Sequence, residues 1–505
     1  MTKRARTSRP AFRLMLCGLL LATAVAVGAD TAAAFGFGGF GRMGGFGGPR
    51  FGLRAHPGNP GAMRRGGNLA NVPAGRGGRH EGPGGGRHHA TPSVPIGIGG
   101  GGGGVVVGGA GGGGGGGGGG SSGVPPRGER RYVADEVITA FAADTTQQAV
   151  DEIARRYNLT RLEAQNFSLL GATLYRWRIG GGRPVADVVG VIEDERGVAR
   201  AQPNYIFALQ EDAGAKASPL HGDPAQYVLG KLHVEKAQQV ATGKNVVVAL
   251  IDSQIDGGDA DLDGTIVGSF DALGGQARPH SHGTAMAGAI AAHGKLLGIA
   301  PGVKLLAARA FAGEGEEAKG TSFAVYKALQ WAADNGARVV NMSFAGPADP
   351  EMHRMLAAAR DKGMVLIAAA GNGGPKSAPL YPAADADVVA VTATDDRDGV
   401  FAMANRGGYI AVAAPGVDIL ALAPDESLQI TTGTSVAAAH VSAVAALLLE
   451  CKPALTPADL RAIITATAKP LASAKRQAEF GAGLVDAYGA VLSPNGQGRK
   501  NEARQ

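Results

Sequence analysis

From about residue 227 onward the hydrophobic positions fall in unbroken runs: "VVVALI" (246–251), "KLLAARAF" (304–311), "ARVVNMSF" (337–344), "MVLIAAAG" (364–371), "VVAVTAT" (388–394) and "YIAVAAPG" (409–416). Stretches of helical character, such as 320–336 and 350–362, separate them. A strand with no polar face must be covered by helices on both sides, so the pattern predicts an α/β class with a doubly wound parallel sheet. Ligands of such sheets bind in the crevice beyond the carboxyl ends of the strands.

Upstream the pattern is different. "ADEVITAF" (134–141), "TLYRWRI" (173–179, with Tyr175, Trp177 and Ile179 on one face) and "ARAQPNYIFAL" (199–209) read as strands, with helices over 145–157 and 184–195. This is a small α+β unit in the order of a split βαβ, ferredoxin-like arrangement. The polar, aperiodic "QEDAGAKASPLHGDPAQ" after it marks an exposed boundary. The expected organisation is a leader at 1–34, a disordered Gly/Arg-rich arm at 35–130, the small unit at 131–210, a linker at 211–226, the α/β domain at 227–493 and a polar tail at 494–505.

Charge changes the picture mainly for the arm. The net charge of +6 divides into +12 over residues 1–130 and −6 over the remainder. The basic balance therefore belongs to a segment whose glycines offer no apolar area and lose the most entropy on ordering. That arm reads either as a solvated tether or as a basic strap for acidic cell-surface polymers. No nucleic-acid partner is expected. Arg-rich residues 1–13, the apolar "LMLCGLLLATAVAVG" and Ala32-Ala33-Ala34 form an export signal, so the product is expected in a periplasmic, cell-surface or extracellular location. The apolar stretch falls short of the roughly 20 residues of a spanning helix, so no stable membrane anchor is expected. Cys17 lies in the leader, leaving Cys451 with no disulfide partner.

Four polar residues stand where chemistry could occur. Asp252 follows "VVVALI" at a strand end, where Asp also serves as a turn residue. His282 opens the helix of "HSHGTAMAGAIAAHG", Asn372 lies in the Gly-rich loop after "MVLIAAAG", and Ser435 begins a helix in "GTSVAAAH". Ser435 could equally be a cap. A serine nucleophile needs a neutral imidazole to take its proton and a carboxylate to hold that imidazole. His440 lies five residues past Ser435, about 140° around the helix, and points away. His280 precedes the helix start, whereas His282 is free to face the serine across a crevice.

Asp252-Ser253, His282-Gly283-Thr284 with Ala287-Gly288, Asn341-Met342-Ser343, Gly371-Asn372 and Gly433-Thr434-Ser435 together resemble the subtilisin-like serine proteases, in that family's order Asp, His, Ser. The resemblance implies a serine endopeptidase with Asp252, His282 and Ser435 as triad. Its oxyanion hole would be Asn372 and the Ser435 N–H, and its substrates would be proteins or peptides. It further implies a substrate-pairing strand at Ser343-Phe344-Ala345, with Gly371 and Leu380 completing the binding set. Leu380 stands where a Gly often floors the specificity pocket, so a shallow pocket for small or medium apolar P1 side chains is expected. Gln254 and Ala439 replace the usual Gly and Pro. No cofactor is required for the chemistry. Asp261 matches a calcium-ligand position, but the loop after His293 is short for the other ligands, and calcium there is doubtful. Residues 131–210 resemble the family's inhibitory propeptide, with the strand near Gln210 in the groove and self-cleavage between about 205 and 220, although an unrelated accessory domain would read the same way. A competing reading is a catalytically weakened relative that binds peptides or envelope polymers.

Overall fold

The computed structural model describes residues 122–210, 226–313, 318–471 and 477–493. The expected leader, the arm up to residue 121, residues 211–225 of the linker and the polar tail from 494 lie outside the described residues. The N-terminal module runs β1 (Tyr132–Phe141), α1 (Gln147–Arg156), β2 (Leu159–Phe167), β3 (Ala172–Ile179), α2 (Val185–Glu193) and β4 (Val198–Leu209). Its strands pair antiparallel in the order β4-β1-β3-β2. α1 begins where Thr146 accepts from the Ala149 amide, satisfying one orphan donor of the first turn. Its inner face, Val150 and Ala154, joins Val185, Val188, Val189 and Ile192 of α2 over Val137, Trp177 and Ile179 of the sheet. Tyr175 is half-buried and stacks on Trp177 at 5.5 Å.

β2 is not evident in the sequence. Arg161 sits opposite Trp177 and Glu163 opposite Arg176, so Leu162 is the extra residue of a β-bulge. The bulge removes the period-2 alternation that would have marked the strand.

The larger module continues through α3 (Tyr227–Lys231), α4 (Val234–Gln238), β5 (Val247–Asp252), β6 (Ile266–Asp271), α5 (Ser281–Ala291), β7 (Lys304–Arg309), β8 (Lys319–Thr321), α6 (Ser322–Asp334), β9 (Val339–Met342), β10 (Phe344–Ala345) and α7 (Pro350–Asp361). It ends with β11 (Val365–Ala369), β12 (Val388–Thr394), β13 (Ile410–Pro415), β14 (Ile419–Ala423), β15 (Ser427–Thr431), α8 (Thr434–Cys451), α9 (Pro457–Thr467), α10 (Gln477–Phe480) and α11 (Ala487–Leu492). Seven strands form a parallel sheet in the order β13-β12-β11-β9-β5-β7-β6. Every apolar run of the sequence supplies one of these strands, and both faces are covered as the runs require. In β5, Val248 and Leu250 pack with α5 and α8, while Ala249 and Ile251 pack with α6 and α7. α8 is long and apolar enough to cross a membrane, but it lies within the core of this domain.

The second face of the small sheet rests on α6 and α7. Phe167 meets Phe323 edge-on at 5.8 Å, within a cluster that includes Ile138, Leu174 and Leu329. Two side chains of β4 complete the ends of these helices: Asn204 Oδ1 accepts from the Phe323 amide and Gln202 Oε1 from the Glu351 amide. Arg200 pairs with Glu351 at 2.8 Å, and Gln202 Nε2 donates to the buried Asp349. Beyond Tyr205, β4 leaves β1 and runs on between β8 and β10, antiparallel to both.

Candidate active site

The central strands β11, β9 and β5 end side by side, and the candidate residues stand just past those ends. Asp252, the last residue of β5, is fully buried. Its Oδ1 lies 2.7 Å from His282 Nδ1 and accepts from the Ser253 amide and hydroxyl at 2.7 and 3.0 Å. Ser253 Oγ in turn accepts from the Gly283 amide, tying the start of α5 to the end of β5. Gly283 is required by this closeness, since a Cβ there would stand 2.6 Å from the Ser253 carbonyl oxygen. His280 is the N-cap of α5, its Nδ1 accepting from the His282 amide. His440 is buried with Nδ1 donating to the Pro415 carbonyl, and desolvation lowers its pKa to about 4. It faces away from the crevice, as its helical offset requires.

Ser435 is the second residue of α8 and nearly buried. Its Oγ donates to the main-chain carbonyl of Gln210, the first residue after β4. Asn372 flanks the same carbonyl. Its Oδ1 accepts from Thr434 Oγ1 at 2.8 Å and from the Thr434 amide at 3.1 Å, which leaves Nδ2 directed at the Gln210 side. Nδ2 has no hydrogen-bond partner among the described residues. Gly433 has no room for a side chain: a Cβ would stand 2.5 Å from the Gln210 carbonyl oxygen and 3.1 Å from Asn372 Nδ2. The Gln210 carbonyl therefore lies against the Ser435 hydroxyl at the N-terminal, positive end of α8, with the Asn372 amide group close by.

The remaining candidates frame the same strand. Phe344 and Ala345 pair with Leu209 and Ala208, and the Ser343 carbonyl accepts from the Gln210 amide at 3.2 Å. Ser343 Oγ donates to the Ser435 carbonyl and accepts from Asn341, whose Oδ1 accepts from Ser442 of α8. Gly371, at φ +106°, spends its amide on Thr434 Oγ1 and its carbonyl on the Asn405 amide. It shapes the Asn372 turn through those bonds. Leu380 packs against that turn, its Cδ1 2.8 Å from where a Gly371 Cβ would lie. Gln254 turns its side chain to the Ile255 carbonyl, and Ala439 is enclosed in the core. Neither substitution disturbs the Asp252–His282 contact.

Asp261 meets backbone donors with both of its oxygens. Oδ1 accepts from the Lys295 amide at 2.8 Å and Oδ2 from the Leu296 amide at 2.7 Å, so the short loop occupies the carboxylate with backbone donors. The donor set required by a hard cation is the opposite, oxygen acceptors converging on one point. Among the described residues no cluster of three or more His, Cys, Asp or Glu could hold a metal ion.

Gly433 and Thr434 entered the sequence analysis only as part of the Gly433-Thr434-Ser435 motif, and Asn405 did not enter it at all. Their contributions are a clearance at Gly433, the Thr434 hydroxyl on Asn372 and the Asn405 carboxamide on the Gly373 amide.

Residues 243–483 match the model of the subtilase family. Thermitase of Thermoactinomyces vulgaris is 33% identical over 274 residues, which is 53% of this chain and 95% of that protein. Subtilisin DY of Bacillus licheniformis is 32% identical over 276 residues, 52% of this chain and 98% of that protein. The crystal structure of fervidolysin from Fervidobacterium pennivorans, described as a keratinolytic enzyme related to subtilisin, superposes with a TM-score of 0.63 at 24% identity. It covers 72% of this chain and 62% of that chain, and the likeness is one of fold.

Proposed function

Because this chain belongs to the subtilase family and is a serine endopeptidase, we propose that Ser435, His282 and Asp252 are its triad and that the N-terminal module is an inhibitory propeptide, cut by the enzyme's own active site after Gln210. The observation that carries this reading is the position of the Gln210 carbonyl, against Ser435 Oγ and beside Asn372.

In the proposed reaction Ser435 Oγ attacks the peptide carbonyl while His282 takes its proton. Asp252 Oδ1, 2.7 Å from His282 Nδ1, fixes the tautomer that leaves Nε2 as the base and stabilises the cation that forms. The carbonyl oxygen becomes negative between Asn372 Nδ2 and the Ser435 N–H, which donate to it as the charge develops. His282 then protonates the leaving amine, and water repeats the sequence on the acyl-enzyme. No cofactor takes part in these steps. The substrate is an extended segment of a protein, held by backbone pairing, which is the role β4 plays between β8 and β10. Export follows from the leader read in residues 1–34 and makes the mature enzyme periplasmic or extracellular.

Expression of residues 35–505 beside a Ser435→Ala variant, followed by intact mass, tests this reading. The parent is expected to release a fragment ending at Gln210 while the variant stays whole. If both remain whole and a serine-directed phosphonate leaves Ser435 unlabelled, the proposed site is wrong.

A further inference from the structure

The side chain of Gln210 makes contacts that its backbone position alone does not require. Its Oε1 accepts from the Asn372 amide at 2.9 Å, and its Nε2 donates to the carbonyls of Ala208 and Leu209, each at 3.1 Å. By the resemblance Leu380 floors the P1 pocket, and it packs on the Gly371 turn that carries Asn372. An aromatic P1 ring would need the volume that Leu380 fills. An apolar chain of Gln's length would leave the Asn372 N–H without its acceptor. A carboxylate could accept from that N–H, but its second oxygen would face two carbonyl oxygens where Gln presents an N–H₂. Each alternative loses something the carboxamide supplies.

We infer that this protease selects a carboxamide side chain at P1, glutamine above all, through the Asn372 backbone N–H and a pocket closed by Leu380. This inference rests on the reading of β4 and Gln210 as a bound substrate, and it replaces the small or medium apolar P1 residue that Leu380 alone led us to expect. Leu380 is the specificity-determining residue, and the Asn372 amide is the reader. The same residue thereby serves twice, with its side chain for the oxyanion and its main chain for the P1 group.

The test uses enzyme matured from residues 35–505 and the peptides Phe-Ala-Leu-X-Glu-Asp, with X as Gln, Met, Glu or Phe. Gln is expected to exceed Met, Glu and Phe in kcat/KM by about tenfold or more, the effect of one unpaired buried group. Leu380→Gly is expected to raise the Phe-to-Gln ratio at least about tenfold, with phosphonate labelling of Ser435 showing that the variant is folded. Wild-type cleavage after Phe or Met as fast as after Gln, by enzyme whose own fragment ends at Gln210, overturns the inference and leaves the proposed function standing. Failure to cut after Gln210 together with an unlabelled Ser435 removes the proposed function itself.

Discussion

Thr434 holds Asn372 by its amide oxygen twice over, with Oγ1 at 2.8 Å and the backbone N–H at 3.1 Å. The two donors decide which way the carboxamide faces, because the Asn372 NH₂ group cannot occupy the place of an oxygen that accepts both. Orientation of the proposed oxyanion donor thus depends on the residue immediately before the proposed nucleophile. Asn372→Leu is expected to lower kcat by about 10²–10³, and Thr434→Val by about tenfold, since one of the two orienting bonds survives. Steady-state kinetics on a single peptide checks both. A Thr434→Val enzyme with unchanged kcat would show that the orientation has another source.

Gly433 makes a sharper prediction. A methyl group there would displace the substrate carbonyl from the position it shares with Ser435 and Asn372. Gly433→Ala is expected to reduce self-cleavage about a hundredfold or more, the cost of misplacing a reacting group by an ångström. The thermal midpoint should move by only a few degrees, because the Gly433 φ of 160° is extended backbone open to any residue. Processing at the wild-type rate would mean the carbonyl does not approach from this side.

Acid should weaken the fold through His440. Burial holds its pKa at about 4 in the folded chain, against about 6.5 when exposed. Between those values the unfolded chain binds the proton and the folded chain does not, so stability falls as pH drops from about 6.5 to about 4 and is flat in this contribution below that. The contribution amounts to about 3 kcal/mol. Urea unfolding at pH 4.5 and 7.5 in the Ser435→Ala background should show a smaller pH difference in a His440→Gln variant. An equal difference in both chains would assign the acid sensitivity to other groups.

At the Asp261 corner, backbone donors meet both carboxylate oxygens. Asp261→Ala should lower the thermal midpoint by several degrees through two lost charge-assisted bonds. That drop is expected to be the same in calcium as in chelator. A calcium-dependent drop would restore the metal reading.

The strands and the reaction class were legible because both rest on residue type. Runs such as "VVAVTAT" became buried strands, and the proposed triad of Asp252, His282 and Ser435 is read from its side chains. β2 was not legible because Leu162 bulges out of register, and β6 because Gly268 stands on its inner face and the exposed Val267 on its outer one. The pocket was half legible. Leu380 announced a closed floor, but the contact that the Gln210 side chain makes is with the Asn372 N–H, which every non-proline residue possesses. What sequence conceals here is the main chain acting as a recognition group.

β8 and β10 do not pair with each other; β4 lies between them and pairs with both. Once a cut frees that strand, the cleft keeps two backbone edges about one strand-width apart on each side of an empty lane. Only a segment stripped of its own secondary structure can enter such a lane. The enzyme would therefore sort proteins first by how readily four or five residues come loose, and only then by the side chain at the point of cleavage.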